Sequence, residues 1–189
     1  MKIFEIYADV SLVYTNGFVI DEKDNTLYEL FPDGFREKNV PGEILLRCYI
    51  KTRSSVMVRA EIFRKCGLFG KNLYSTDHDM WIRMSEVTKF YYIPIFLTAY
   101  RKHMGQKSSK RRQWQDGFTI LKEACERYPY SLNLKRKRLA VLYYRLGEYD
   151  WKDNNYFRAL KNLFSAGLFD PLRALNFIFN ISFNISYRK

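Results

Sequence analysis

Cysteine is scarce in this chain. Cys48, Cys66 and Cys125 are an odd set among 189 residues, with no Cys-x-x-Cys pair. Neither a disulfide framework nor a zinc site follows, and a reducing cytosol fits best. Histidine is scarcer still, with only His78 and His103. No stretch reaches 18 uncharged apolar residues, so no membrane-spanning helix is expected. The opening segment, MKIFEIYADV, has too short an apolar run for a signal peptide. No RNP, KH or helix-turn-helix pattern occurs, which disfavours nucleic acid as a partner.

What is abundant is aromatic and basic. Aromatic residues make up 17% of the chain and hydrophobic residues 47%, enough for a packed core and against general disorder. The net charge is +12. Residues 101–145 hold 13 Lys and Arg against 3 Asp and Glu, a local excess of +10. Such a field attracts phosphates, nucleic acid or anionic lipid without choosing among them.

The first half reads as mixed α/β. Leu12 to Ile20 (LVYTNGFVI) is β-prone on both sides of Asn16-Gly17, the strongest short hairpin signal. The other reading is a strand ending at Thr15 with a loop after it. Residues 21–42 are turn-rich and carry a short strand around Leu27 to Phe31. Ile44 to Tyr49 reads as a short helix and Ser54 to Val58 as a short β-prone run. Ala60 to Cys66 reads as a helix with Ile62 and Phe63 inward, stopped by Gly67 in a left-handed cap. Asp77 to Val87 reads as a helix with Met80, Trp81 and Met84 on one face. Phe90 to Leu97 is an aromatic strand whose Pro94 predicts an edge or a bend.

Beyond Tyr100 the composition changes. Arg101 to Arg112 reads as a basic loop. Candidate helices follow at Gln113 to Tyr128, Leu132 to Leu146, Tyr156 to Gly167 and Pro171 to Phe183. The segment YYRLGEYDWKDNNYFRALKNLFSAGLFDPLRAL resembles one tetratricopeptide-like hairpin, and one copy is not an array. Lys135 to Arg138 and the apolar Leu175 to Ile185 suit an anionic membrane surface, or else an ordinary amphipathic helix packed on the domain.

Three segments in order carry a resemblance: IKTRSSVMVRAEIFRKCGLFGKNL (50–73), STDHDMWIRMSE (75–86) and FYYIPIFLTAYRKHMGQKSS (90–109). They resemble the acceptor side of family 2 glycosyltransferases, which have the GT-A fold, and Ser11 to Asp24 extends the likeness. The resemblance implies an α/β fold in two parts. Residues 1–112 would be the acceptor-side, C-terminal part of a Rossmann-like GT-A domain. Residues 113–189 would be a basic, aromatic-rich helical appendage. The implied reaction is inverting transfer of a sugar from a nucleotide-sugar donor to a glycan or lipid-linked acceptor. The implied setting is cell-surface polysaccharide synthesis in the cytoplasm, on the inner face of the membrane.

The site residues follow from the same resemblance. Asp77 matches the catalytic base, with Thr76 where the family prefers Glu. Asp79, Trp81, Arg101 and Lys107 fall at substrate-binding positions, and His103 at a ligand of the divalent metal, Mn²⁺ or Mg²⁺, that is implied if the donor half is present. Read on their own, Asp77 is a helix cap, Asp79 and Arg83 a surface ion pair at i, i+4, and Trp81 a core residue. The family's Asp-x-Asp donor motif has no counterpart upstream of Ser11, and Asp21 and Asp24 lie in a turn context. The expectation is therefore that the donor-binding half is truncated or supplied by another chain, with an inactive membrane- or partner-binding remnant as the alternative.

Overall fold

The computed structural model describes residues 2–70, 73–103, 111–172 and 175. It divides into two compact units, residues 1–109 and 110–189.

The first unit is built on a four-stranded mixed sheet. After a short helix α1 (Lys2–Ile6) comes the strand β1 (Val10–Ile20), followed by β2 (Thr26–Glu29), α2 (Pro41–Leu46), a 3-10 turn (Arg53–Ser55) and β3 (Val56–Val58). Two helices, α3 (Ile62–Cys66) and α4 (Thr76–Ser85), precede the long strand β4 (Lys89–Arg101). Strand β4 runs parallel to β1 over its whole length, from Val10↔Lys89 to Ile20↔Arg101. Strands β2 and β3 both pair antiparallel with β1, at Phe18–Ile20 and Leu12–Tyr14 respectively. β1 is thus covered on both edges, and Leu12, Val13, Tyr14, Val19 and Ile20 are buried.

The hairpin expected at Asn16-Gly17 is not formed, and the strand does not stop at Thr15. β1 passes straight through, and the chain turns instead at residues 21–25, with Asp24 at φ +67°. The reason lies in long-range contacts that a local turn signal cannot represent. The buried Asn16 side chain extends the ladder: its amide donates to the Phe31 carbonyl (3.1 Å), and its oxygen accepts from Phe31 N–H (3.0 Å) and Gly17 N–H (2.9 Å). Gly17 is there for proximity. A Cβ on it would lie 2.5 Å from the main-chain oxygen of Thr98 on β4.

Smaller differences follow the same logic. The helix expected from Ile44 starts earlier, at Pro41, where proline suits the first turn. Gly67 has the expected positive φ (+72°), but ψ is −175°, outside the left-handed helical region. Pro94 produces the predicted bend: Thr15 pairs with Ile93 and Asn16 with Phe96, so Pro94 and Ile95 bulge out of register.

The second unit is helical: α5 (Arg112–Arg127), α6 (Leu132–Lys152) and α7 (Tyr156–Phe169). Helix α6 runs six residues beyond its expected end at Leu146, because Gly147 serves as a packing site rather than a stop. Its absent side chain lets Leu163 of α7 approach, at 3.3 Å from where a Cβ would sit. Asp150 is fully buried between the Arg111 guanidinium and the Asn162 amide, the latter at 2.7 Å. Arg138, counted above with a surface basic run, is buried. Of the helix expected at Pro171 to Phe183, Pro171, Leu172 and Leu175 are described and are helical; the rest of it, and of the Leu175 to Ile185 segment, lies outside the described residues. No described helix is long and apolar enough to cross a membrane.

Replacing Gly17 by alanine should drive a methyl group into the Thr98 carbonyl. A loss of about 2–3 kcal/mol is expected, within the usual range for overpacking, read as a lower urea midpoint with an unchanged slope. Asn16→Ala should cost about as much by orphaning the Phe31 main-chain groups.

Candidate functional site

Helix α4 opens without a side-chain cap at Ser75 and concentrates its polar groups in the first turn. They point in different directions, and burial decides what each can do.

His78 is buried, its Nε2 2.6 Å from the Ile44 carbonyl of α2. A carbonyl can only accept, so Nε2 carries the proton and the ring ties α4 to α2. Asp79 is also buried. Its Oδ2 accepts from Arg83 Nε (3.0 Å) and Nη2 (2.7 Å), while Oδ1 is buried without a hydrogen bond. Arg83 in turn donates to the carbonyls of Cys66 and Leu68 (3.1 Å for the latter), holding the chain after α3 against α4. Trp81 is 2% exposed, edge-on to Phe69 with ring centroids 6.2 Å apart. Both Asp79 and Trp81 are therefore placed within the packing of α4 rather than on an open face.

Asp77 alone of the three turns outward, 37% exposed. Its Oδ1 lies 3.2 Å from Nε of Arg53 in the 3-10 turn, and the Arg53 side chain is 66% exposed. Exposed pairs of this kind are worth less than about 1 kcal/mol, so this one opens easily. The 3-10 turn leads into β3, whose Val56 pairs with Tyr14, and so sets Arg53 near the middle of β1.

Arg101 ends β4. Its guanidinium donates to Asp24 Oδ1 (2.6 Å) and to the Asp21 carbonyl (3.0 Å). Asp21 accepts from the Asn25 side chain and from the Asn25 and Lys23 amides, which hold its carboxyl below the usual range. Both carboxylates thus shape the turn between β1 and β2. His103 is exposed just past β4, and Lys107 lies outside the described residues. Among the described residues no three His, Cys, Asp or Glu side chains gather closely enough to hold a metal ion.

The chain also builds a feature that the sequence did not announce. Glu37, in the loop before α2, accepts from Tyr14 OH (2.7 Å) and Tyr49 OH (2.8 Å). Tyr14, Phe31, Phe35, Tyr49 and Tyr92 interlock around this carboxylate. Burial first, and the Glu37 charge second, push both phenols well above their ordinary value. On the outer side lies a cleft of 330 Å³ lined by Phe35, Arg36, Glu37, Asn39, Phe90 and Tyr92, among others. Glu37 stands in an irregular loop with no periodicity, so no local pattern could have singled it out.

Removing Arg83 would leave Asp79 charged, buried and alone. Arg83→Met should cost about 3–5 kcal/mol, whereas the double change Asp79→Leu/Arg83→Met should recover much of that loss. Chemical denaturation of the three proteins separates a paired buried charge from a dispensable one. The phenol pair predicts alkaline sensitivity. Folded-state values are raised while the unfolded chain titrates near about 10, so this contribution is complete below pH ~10. It is lost as pH rises further, because the unfolded state ionises first. Melting temperatures between about pH 8 and 11 should fall less steeply in Tyr14→Phe and Tyr49→Phe than in the wild type.

No family model matches the chain. It is 31% identical over 101 residues to an uncharacterized glycosyltransferase of Methanocaldococcus jannaschii. The match takes in 53% of this chain and 34% of that protein, so the chain spans about a third of the length of the relative.

Proposed function

We propose that the chain is the acceptor-side part of an inverting glycosyltransferase of family 2, with Asp77 as the general base. The likeness to a protein named a glycosyltransferase supports the class. The observation that carries the residue assignment is the sorting of the first turn of α4. His78 and Asp79 are consumed by packing, and Asp77 is the carboxylate left facing solvent, held by the exposed Arg53 and a long 3.4 Å hydrogen bond from the Thr76 hydroxyl.

In this reading the acceptor hydroxyl replaces Arg53 at Asp77 Oδ1. As its oxygen bonds to the anomeric carbon, its proton passes to the carboxylate. The bond from that carbon to the donor's diphosphate oxygen breaks with its electron pair on the departing nucleotide, and the configuration inverts. Arg53, freed from the pair, stays beside the carboxylate and limits the positions it can take. The acceptor would be a glycan or lipid-linked sugar, the donor a nucleotide-sugar, and the setting polysaccharide assembly. A divalent cation on the donor diphosphate would need ligands in addition to His103, and the proton transfer to Asp77 requires none.

Assayed with a panel of nucleotide-sugars, Asp77→Asn should lower transfer or donor hydrolysis by about 100- to 10,000-fold. It should leave the melting temperature within a degree or two, because the ion pair it removes is exposed. Equal turnover in the variant would remove Asp77 from the chemistry. Calorimetric titration with UDP and GDP in the presence of Mn²⁺ separates the alternatives: heat that vanishes in His103→Ala supports a donor site on this chain. Silence with both nucleotides supports the remnant that binds a membrane or a partner instead.

A further inference from the structure

Helix α7 has two faces of opposite character. The inner face is made of small residues: Ala159 and Ala166 are fully buried, and Ala159 and Leu163 close on Gly147 of α6. The outer face carries Phe157, Leu160, Phe164 and Leu168, and Leu172 is exposed beyond the extended Asp170 that ends the helix. These five side chains are between 59% and 85% exposed. Within α7, the steps of three and four residues align Phe157, Leu160, Phe164 and Leu168 along one side of the helix. Single exposed apolar residues are ordinary on a protein surface, but a continuous row of this size is not.

Charge narrows what can cover the row. Helix α7 has two basic residues, Arg158 and Lys161, and no acidic one. Lys161 lies four residues after Phe157 and three before Phe164, so it rides on the edge of the row. Residues 110–189 hold 16 Lys and Arg against 7 Asp and Glu. A second copy docked face to face would bring like charges together within a chain of net charge +12, with no carboxylate on α7 to offset them. An anionic bilayer meets both demands: its acyl boundary takes the apolar row and its phosphates take the cations. Fourteen residues of helix extend about 21 Å, short of the roughly 30 Å hydrocarbon core, so such a helix lies in the plane of the surface.

We propose that α7 is an in-plane membrane-docking helix. Phe157, Leu160, Phe164 and Leu168 enter the headgroup boundary of an anionic bilayer, and Lys161 and Arg158 reach its lipid phosphates. The proposal does not depend on Asp77 or on any transferase activity.

The test is co-sedimentation of the full chain with lipid vesicles. Binding to phosphatidylcholine vesicles containing phosphatidylglycerol should exceed binding to pure phosphatidylcholine by at least about tenfold, and should weaken with added salt. The double variant Phe164→Ser/Leu168→Ser should bind the anionic vesicles at least about tenfold less, at an unchanged melting temperature. Lys161→Glu, which leaves the apolar row whole, should lower binding to anionic vesicles only. Several outcomes would overturn the proposal. One is no binding to anionic vesicles. Another is equal binding by the double variant and the wild type, which would shift the contact to another basic surface. A lower melting temperature in the double variant would mean that the chain itself covers the row. A dimer seen by light scattering and broken by the double variant would mean that a second copy does.

Discussion

The parallel pairing of β1 with β4 is the constraint on which the first unit depends. Strand β1 has partners on both edges, so its register fixes where the β2 turn, the 3-10 turn and the end of β4 fall. Two adjacent residues secure that register by unlike means. Asn16 adds a side-chain rung to the main-chain ladder by bonding both polar groups of Phe31. Gly17 removes the side chain that would hold β4 away. Both act on segments distant in sequence, Phe31 and Thr98. Neither could act if the chain reversed at that point.

Helix α4 shows how packing separates roles among residues that look alike in sequence. Asp77, His78 and Asp79 are consecutive and all ionisable. The helical period sends His78 to α2 and Asp79 to Arg83, and leaves Asp77 outside. The buried pair is strong only as a pair, since either charge alone inside the protein is costly. The outer pair is exposed and weak. Buried and exposed charge are thus divided within one turn of helix. Arg83 also bonds the carbonyls after α3, so the geometry at Asp77 depends on a residue six positions away.

The sequence allowed the architecture to be read where the signals are periodic. The mixed α/β half, the helical half, the buried face of Met80, Trp81 and Met84, and the bend at Pro94 all follow from period and proline chemistry. It misled where a local signal was outweighed by distant contacts. Asn16-Gly17 is as good a turn pair as any, and the helix expected to end at Leu146 runs on through Gly147. Both glycines instead admit a neighbour, Thr98 in one case and Leu163 in the other. In the candidate site, the carboxylate-rich start of α4 was evident from order and spacing. The Arg53 partner and the Glu37, Tyr14 and Tyr49 cluster were not, because they join loops to strands across many residues.

Aromatic content poses the same problem on a larger scale, since composition does not say which rings are structural. Around Glu37 the tyrosines are structural: their hydroxyls satisfy a carboxylate while their rings fill the space between β1, β4 and the loop before α2. On α7, Phe157 and Phe164 stand outward, while Ala159, Ala166 and Leu163 pack inward and Phe169 stacks on Tyr143. What distinguishes the two settings is a close partner for the helix or strand beneath. β1 is wide and enclosed on both edges, so large rings turn inward from it and find neighbours. α7 lies close to Gly147, where Ala159 and Leu163 meet α6, while Phe157, Leu160, Phe164 and Leu168 fall on the opposite side of the helix. The exposed apolar row is thus the outer half of an amphipathic helix whose inner half is fitted to its neighbour, and Lys161 gives that row a basic edge.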